Sequence, residues 1–326
     1  MLLLAGCLGA CTGDDSGLVM DTAPPCGEGE VLEGARCLPV DCGVGVWGDL
    51  PDEADVAYVD SAGPTDGDGS RERPFRTLVE GLEAQTTVYL AEGRYFAPEV
   101  IVGSGDVGRT LRGRCQELVT LEGDELGSGI QWAASPGVTL LLQELTLTGG
   151  GGLFASLGTM RMEDSTIQGT ARAAAWASNV GVLELERVRI DGVQGDSEGV
   201  GGWGLLAEGD GRIEAVDVEV VGYASAGAIA MDRGTINALR LVIGPGEPDR
   251  PEILAGVAAQ DEGSSLTCTE CLIEGAPSLG ALVTKGATMT LSDSVVRQPD
   301  PVEGYAVGVL ASGGTLSLVR TLIEGV

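Results

Sequence analysis

The sequence predicts an all-β solenoid, in which similar turns of backbone stack on one another. A twelve-residue phrase recurs through the second half of the chain, and each copy reads as two short alternating strands closed by glycine. The chain has 53 glycines among 326 residues and no long stretch with a helical period, which favours many tight turns. Clear copies are 158–169, 181–192, 211–222 and 314–325, and looser copies are 137–149, 234–244, 263–275 and 287–298.

Apolar residues occupy the same three slots in successive phrases. Stacked coils place like residues above like, with strands about 4.8 Å apart, so these slots predict three aliphatic columns in the core. The first column is Met160, Leu183, Ile213, Leu266, Met289 and Leu316; the second is Met162, Leu185, Ala215, Ala238, Cys268, Leu291 and Leu318; the third is Ile167, Ile190, Val220, Val242, Ile273, Val296 and Ile323.

The closing glycines follow one another at unequal intervals, whereas the strand portion of the phrase keeps its length. One connecting loop in each coil must therefore absorb the variation, and the longest of these loops are 193–203, 245–255 and 298–306. Loops on one side of a solenoid are where its binding specificity normally lies. The closing glycines are Gly149, Gly169, Gly192, Gly222, Gly244, Gly275 and Gly325.

A further short strand precedes each phrase, and its middle slot holds Trp132, Phe154 and Trp176 in the first three coils. If this slot points outward, the aromatic side chains form a strip of the kind that stacks on sugar rings. If it points inward, it adds a fourth core column, and the usual burial of large apolar residues favours that alternative. Trp203 and Tyr305, which fall in long loops, are then the better candidates for exposed, ligand-binding aromatics.

The composition excludes several partners and chemistries. Lys and Arg total 19 against 49 Asp and Glu, for a net charge of −30, and the chain has no histidine. Such a surface repels phosphate backbones and anionic lipid headgroups, so we expect no binding to nucleic acid and contact with a membrane only through a lipid anchor. The absence of histidine also excludes Ser-His and Cys-His catalytic pairs.

Residues 1–10 form an apolar run too short to span a bilayer, which indicates a targeting segment. Leu4-Ala5-Gly6-Cys7 and Leu8-Gly9-Ala10-Cys11 both resemble the lipobox of bacterial lipoproteins. We favour Cys11 as the lipid-attachment residue, with Cys7 as the alternative, because Cys11 leaves a longer apolar region and an even number of cysteines. The expected location is therefore the bacterial cell envelope, at the outer membrane or cell surface. The expected organisation is a signal at 1–11, a polar tether at 12–25, a cysteine-bearing module at 26–55 and the solenoid at 56–326.

Six further cysteines suit an oxidising compartment: Cys26, Cys37, Cys42, Cys115, Cys268 and Cys271. Residues 26–42 read as a small hairpin in which Cys26 and Cys37 can pair, and the remaining connectivity stays open. Cys268 and Cys271 have the spacing of a metal or redox motif but lie inside a repeat. A core cysteine or a local disulfide is favoured over zinc, because the chain has no histidine and no second such motif.

Residues 56–85 are predicted to cap the first coil, with coils from 86 to 326. Residues 73–84 suggest a short helix with Pro74 near its first turn and Phe75, Leu78, Val79 and Leu82 facing the coil. Asp66 and Asp68 in the preceding turn are weak calcium candidates; the turn itself is the favoured explanation, because no glutamate occupies a closing ligand position. The sequence shows no cap after the last coil, so we expect either that the native gene continues or that this end makes an end-to-end contact with another subunit.

Several segments resemble bacterial right-handed parallel β-helix proteins of the pectin lyase-like superfamily. They are Tyr58-Val59-Asp60, the Asp/Gly turn at 63–70, Pro74 to Leu78, the strand at 86–95, residues 110–115 and the repeats, and the resemblance covers about 270 residues. It implies the fold and an envelope location. The Gly-His-Gly element of polygalacturonase-like enzymes cannot exist here, and no stretch around Arg189, Arg240 or Arg297 resembles the pattern of pectate lyases.

Two functional hypotheses follow, and a third, a purely structural spacer, is distinguished from them because a spacer has no need of Trp203 or Tyr305. The leading hypothesis is a lipid-anchored envelope protein whose loops bind a glycan or a surface protein, without catalysis and without a cofactor. The alternative is a polysaccharide lyase or glycoside hydrolase that uses a pair of loop carboxylates. The loop acids available for that role are Asp196, Glu198, Glu247, Asp249, Asp300 and Glu303.

Overall fold

The computed structural model describes residues 42–96, 107–123, 129–195, 200–247, 255–276, 278–297 and 307–325, together with the backbone of 30–33 and 36–39. The chain divides into two compact units, Met1–Asp41 and Cys42–Val326. In the first unit, β1 (Glu30–Glu33) and β2 (Arg36–Pro39) pair as an antiparallel hairpin, which confirms the hairpin expected within 26–42. Cys7, Cys11 and Cys26 lie outside the described residues, and Cys37 lies in β2.

The second unit is a right-handed parallel β-helix, as the sequence predicts. Two parallel sheets form its walls: a nineteen-stranded sheet, called sheet 1, and an eight-stranded sheet, called sheet 2. Among the described residues it contains one helix. The elements are β3 (Ala57–Val59), α1 (Leu78–Ala84), β4 (Thr87–Leu90), β5 (Gly93–Phe96), β6 (Arg109–Gly113), β7 (Val119–Glu122), β8 (Ile130–Ala133), β9 (Thr139–Gln143), β10 (Thr146–Thr148), β11 (Leu153–Leu157), β12 (Thr159–Gln168), β13 (Ala173–Ala177), β14 (Val182–Val193), β15 (Trp203–Ala207), β16 (Arg212–Val216), β17 (Glu219–Tyr223), β18 (Ala226–Ala230), β19 (Thr235–Leu239), β20 (Val242–Ile243), β21 (Ala255–Ala259), β22 (Ser265–Thr269), β23 (Leu272–Glu274), β24 (Leu279–Thr284), β25 (Thr288–Ser292), β26 (Val295–Arg297), β27 (Val307–Ser312), β28 (Thr315–Val319) and β29 (Leu322–Glu324).

Each coil from β8 onward contributes one strand to sheet 2 and then two strand segments, joined by a sharp corner, to sheet 1. Sheet 2 consists of β8, β11, β13, β15, β18, β21, β24 and β27. In sheet 1 the stacking register is the predicted one: Met160 lies beside Leu183, and Leu183 beside Ile213. All three side chains are fully buried. The first two aliphatic columns of the core are therefore confirmed.

The third column contains one error in the prediction. Ile243, and not Val242, lies between Val220 and Ile273. Aligning the repeats by their glycines predicts Gly244 in the closing slot of this coil. The pairing of Val220 with Ile243 instead places Pro245 there, two residues after Ile243 as Gly222 is two residues after Val220. Most coils have glycine in this slot, so the proline makes the predicted register wrong by one residue. A shift of one residue exchanges the two faces of a strand.

The N-terminal cap differs from the expected helix. α1 begins after Thr77, whose side chain accepts a hydrogen bond from the Glu80 N–H, while the Glu80 carboxylate accepts one from the Thr77 N–H. Pro74 and Phe75 precede the helix, because the Phe75 N–H donates to the Tyr58 carbonyl as in a strand. Leu78 joins the core, whereas Val79 is 44% exposed and does not face the coil as predicted.

A disulfide between Cys42 and Cys115 joins the start of the second unit to the β6–β7 connection. Behind it, Trp47 and Leu50 pack in a separate small cluster with Val56, Tyr58, Tyr89 and Ala91. The buried Arg114 guanidinium donates to the carbonyl of Gly43 at 3.2 Å and forms an ion pair with Glu92. This segment is thus fastened to the first coils by a covalent bond, apolar packing and a buried cation.

Charged residues in the left-handed backbone region form the corners of sheet 1. This region is costly for residues other than glycine, and ion pairs between successive corners accompany it. Arg187 contacts Asp164 with two hydrogen bonds of 2.6 and 2.8 Å, and Arg240 contacts Asp217 in the same way. The corner residues, in order, are Glu144, Asp164, Arg187, Asp217, Arg240, Glu270, Asp293 and Arg320.

These ion pairs predict a pH-dependent contribution to stability. Hydrogen bonds from arginine lower the pKa of Asp164, Asp217 and Asp293 at these corners, and of Asp210, which pairs with Arg233 between the turns that follow β15 and β18. A carboxyl whose pKa is lower in the folded state stabilises the fold above its unfolded pKa, and this contribution is lost as the pH falls through the folded pKa.

We therefore compare the wild type with a variant that replaces the four partner arginines, Arg187, Arg233, Arg240 and Arg320, by glutamine. Urea unfolding should show the wild type to be more stable at pH 6, with the difference shrinking below about pH 4, where free aspartate protonates. A second variant, with the same four arginines replaced by lysine, keeps the net charge and a cation beside each aspartate, so it should be more stable than the glutamine variant at pH 6. A difference that stays constant from pH 6 to pH 3 would contradict this prediction.

In the last described coil, the residue of the second aliphatic column is partly exposed to solvent. Leu318 is 41% exposed, whereas its column neighbour Leu291 is fully buried. The end-to-end contact expected there remains a prediction. No helix in the described part of the chain has the length and apolar character needed to cross a membrane.

Candidate functional site: the outer face of sheet 2

The outer face of sheet 2 is apolar. The core side is lined by alternate residues such as Leu153 and Ala155 in β11 and Leu205 and Ala207 in β15, which are fully buried. From β11 onward, the middle slot of each strand therefore points away from the core, and the expectation of a fourth core column is wrong for these strands. Strand pairing aligns these outer residues as Gln131, Phe154, Trp176, Leu206, Ile229, Ala258, Leu282 and Leu310.

Trp132 does not belong to this outer column. It pairs with Ala155, while Gln131 is the residue beside Phe154. Its ring is fully buried in the core, and its Nε1–H donates to the Val138 carbonyl at 3.3 Å. The slot predicted for Trp132 is therefore wrong by one residue. The register between β8 and β11 also shifts between Ala155 and Leu157. Trp132 is therefore a core residue.

Phe154 and Trp176 form an aromatic pair on the outer face. Their ring centroids lie 4.5 Å apart, with the planes inclined at 45°, and both residues are partly exposed. The Arg172 guanidinium carbon lies 5.5 Å from the centroid of the Trp176 ring. On its edge, the Trp176 Nε1–H donates to the Glu208 carboxylate at 3.1 Å. The Trp176 indole is thus held by three contacts, with the Phe154 ring, the Arg172 guanidinium and the Glu208 carboxylate. We call the surface formed by these four residues and Gln131 the aromatic face.

Beyond Trp176, the outer column becomes a second hydrophobic cluster. Leu206, Ile229 and Ala258 are at most 4% exposed although they lie outside the main core. Trp203 packs against this cluster as the first residue of β15, where it pairs with Ala173 and Ala226. It is therefore a partly buried strand residue, not an exposed loop residue as predicted. Tyr305 lies outside the described residues.

The remaining candidate residues lie elsewhere. Arg73 contacts both calcium candidates, at 2.9 Å from Asp66 and 3.6 Å from Asp68, and Asp68 also accepts a hydrogen bond from the Ser70 N–H. Cys268 and Cys271 form a disulfide across a sheet 1 corner, with Cys268 in the leucine column between Ala238 and Leu291. Of the loop acids, Glu247 is described and exposed, and the others lie outside the described residues.

The aromatic face has the chemistry of a sugar-binding platform. Aromatic rings offer flat apolar surfaces to the C–H groups of a pyranose, while nearby polar groups fix its hydroxyls. Arg172 supplies hydrogen-bond donors, Glu208 supplies acceptors, and Gln131 supplies both. Sequence reasoning found Phe154 and Trp176 but missed these polar neighbours. Arg172 comes directly before β13 and Glu208 directly after β15. Neither residue lies in the alternating part of a strand, so no periodic pattern in the sequence marks it.

No protein-family model and no curated protein matches the chain. Among solved structures, the A-module of mannuronan C-5 epimerase AlgE4 from Azotobacter vinelandii is 12% identical, with a TM-score of 0.31; the alignment covers 74% of this chain and 89% of that module. A rhamnogalacturonan lyase is also 12% identical, with a TM-score of 0.30, covering 81% of this chain and 62% of the lyase. Neither similarity carries an argument about activity.

Proposed function

We propose that this protein is a glycan-binding β-helix of the bacterial cell envelope, and that it holds its ligand on the aromatic face of sheet 2. The observation that carries the proposal is the pair of partly exposed rings, Phe154 and Trp176, on an otherwise rigid strand surface. The two rings lie beside each other because β11 and β13 are paired strands of sheet 2. The role that we propose for the protein is binding without catalysis.

The geometry supports binding along the stacking direction of the coils. Neighbouring strands lie about 4.8 Å apart, which is close to the length of one pyranose unit, so Gln131, Phe154 and Trp176 can each face one sugar. Because the strands are hydrogen-bonded on both sides, the rings are already ordered and little conformational entropy is lost when a ligand binds. The lipid anchor at Cys11 or Cys7 remains a prediction from the sequence.

The test is binding of the full-length protein to a panel of soluble neutral and acidic polysaccharides, measured by affinity electrophoresis. At least one polysaccharide should retard the wild type, and Trp176→Ala should weaken that binding about tenfold or more, in line with the value of one aromatic stack in a binding site. Phe154→Ala should weaken the same binding in the same direction.

Val44→Ala is the matched control, because Val44 is an exposed apolar residue before β3 and belongs to no strand of sheet 2. It should leave binding unchanged. Equal affinities for the wild type and Trp176→Ala would refute the assignment of the site. The appearance of new reducing ends or unsaturated products in the same incubations would refute binding without catalysis.

A further inference from the structure

A cavity of about 430 Å³ lies beside the N-terminal cap, on elements that contribute nothing to the aromatic face. Its lining comes from three places: Ser61 after β3, residues 76–79 at the start of α1, and residues 94–96 of β5. Cavities of this size are typical of small-molecule sites. The cavity therefore has room for a ligand of one or two rings.

Two arginines make this cavity cationic within a strongly acidic protein. The Arg76 Nε–H donates to the Ser61 carbonyl at 3.3 Å, which orients the guanidinium, and no carboxylate among the described residues forms an ion pair with it. Other arginines of the protein differ from Arg76 in this respect: Arg112, Arg187 and Arg240 each form an ion pair with a carboxylate. Arg94 also lines the cavity, where it pairs with Glu122 at 2.7 Å.

The rest of the lining is apolar and partly open to solvent. Phe96 is 59% exposed, although phenylalanine is usually buried. Leu78 and Tyr95 are buried and form part of the wall, and the Tyr95 hydroxyl already donates to the Ala91 carbonyl at 2.8 Å. An apolar wall next to guanidinium groups suits a ligand with an apolar body and an anionic end.

We propose that this cavity binds a small organic anion in which a carboxylate or phosphate is attached to a ring. The anionic oxygens accept hydrogen bonds from the guanidinium of Arg76, whose planar donors match carboxylate and phosphate geometry. The ring packs on Phe96 and Val79. Glu122 competes with the ligand for Arg94 and limits its affinity.

The proposal is tested by calorimetric titration of the full-length protein with benzoate and with phenyl phosphate, which separate carboxylate from phosphate as the anionic group. Saturable binding of at least one of them is expected. Benzyl alcohol has the ring without the anionic group, and inorganic phosphate has the anionic group without the ring. Each should bind at least tenfold more weakly. Arg76→Gln should weaken binding about tenfold, as expected for the loss of one charged hydrogen-bond partner.

Glu122→Gln provides an effect of opposite sign, because it releases Arg94 and should tighten binding. A variant that merely damages the fold cannot produce that result. Arg212→Gln, at an exposed arginine of β16 outside the cavity, is the matched control and should change nothing. The proposal is overturned if neither anion binds saturably, if Arg76→Gln binds as the wild type does, or if Glu122→Gln fails to bind more tightly.

Discussion

Replacement of Cys42 and Cys115 by serine is expected to lower the free energy of unfolding by about 4 kcal/mol. The bridge closes a long loop, since its cysteines are 73 residues apart. Without the bridge the unfolded chain gains conformational entropy, which stabilises the unfolded state by about 4 kcal/mol for a loop of this length. The folded state also loses the fastening of Trp47 and Leu50 over Tyr58 and Tyr89. Urea denaturation of the double variant measures the loss.

Val46→Ser is the control for this variant, because Val46 is exposed and lies in the segment that the disulfide fastens. It should leave the unfolding midpoint unchanged. Limited proteolysis of the double variant should in addition cut the chain between residues 42 and 56, where the segment has lost its covalent fastening. Unchanged stability of the double variant would show that apolar packing and Arg114 alone hold this segment in place.

Leu183→Ala is expected to destabilise the protein by about 3 kcal/mol, which is typical of removing a fully buried leucine side chain. Leu183 lies between Met160 and Ile213 in the first aliphatic column. The strands above and below are fixed by backbone hydrogen bonds, so the backbone cannot collapse into the space that the leucine leaves. The same denaturation measurement reports the loss.

Glu184→Ala is the matched control, because Glu184 is the next residue of β14 and points outward. A surface substitution of this kind changes stability by less than about 0.5 kcal/mol. If the two substitutions had equal effects, the assignment of inward and outward faces in β14 would be wrong. That result would also undermine the register of the neighbouring coils, because a slip of one residue exchanges the two faces.

The sequence was sufficient to predict the fold class and most of the core, because sheet 1 alternates apolar and polar residues. Leu183 and Leu185 point inward and Glu184 and Glu186 outward, so the period of two is visible without a structure. Sheet 2 gives no such signal. In β18, Ala228, Ile229 and Ala230 are all apolar and all buried, and no pattern tells which of them faces the main core.

The candidate site was only partly predictable for the same reason. Phe154 and Trp176 were recognised as aromatic candidates, but whether they face outward depends on the strand pairing and not on local sequence. The disulfide between Cys42 and Cys115 was not predictable from spacing, because the positions of the two cysteines are set by the whole first part of the solenoid. Cys268 and Cys271 were predictable as a local feature because they lie within one repeat.

The charged corners of sheet 1 have a consequence for how such a chain can change in length. Arg187, Asp217 and Arg240 alternate in sign along the stack, so excising only the middle turn would place two guanidinium groups side by side. Removing or duplicating two adjacent turns together would keep opposite charges as neighbours. We therefore expect descendants of this gene that differ in length to differ, in this stretch, by even numbers of turns.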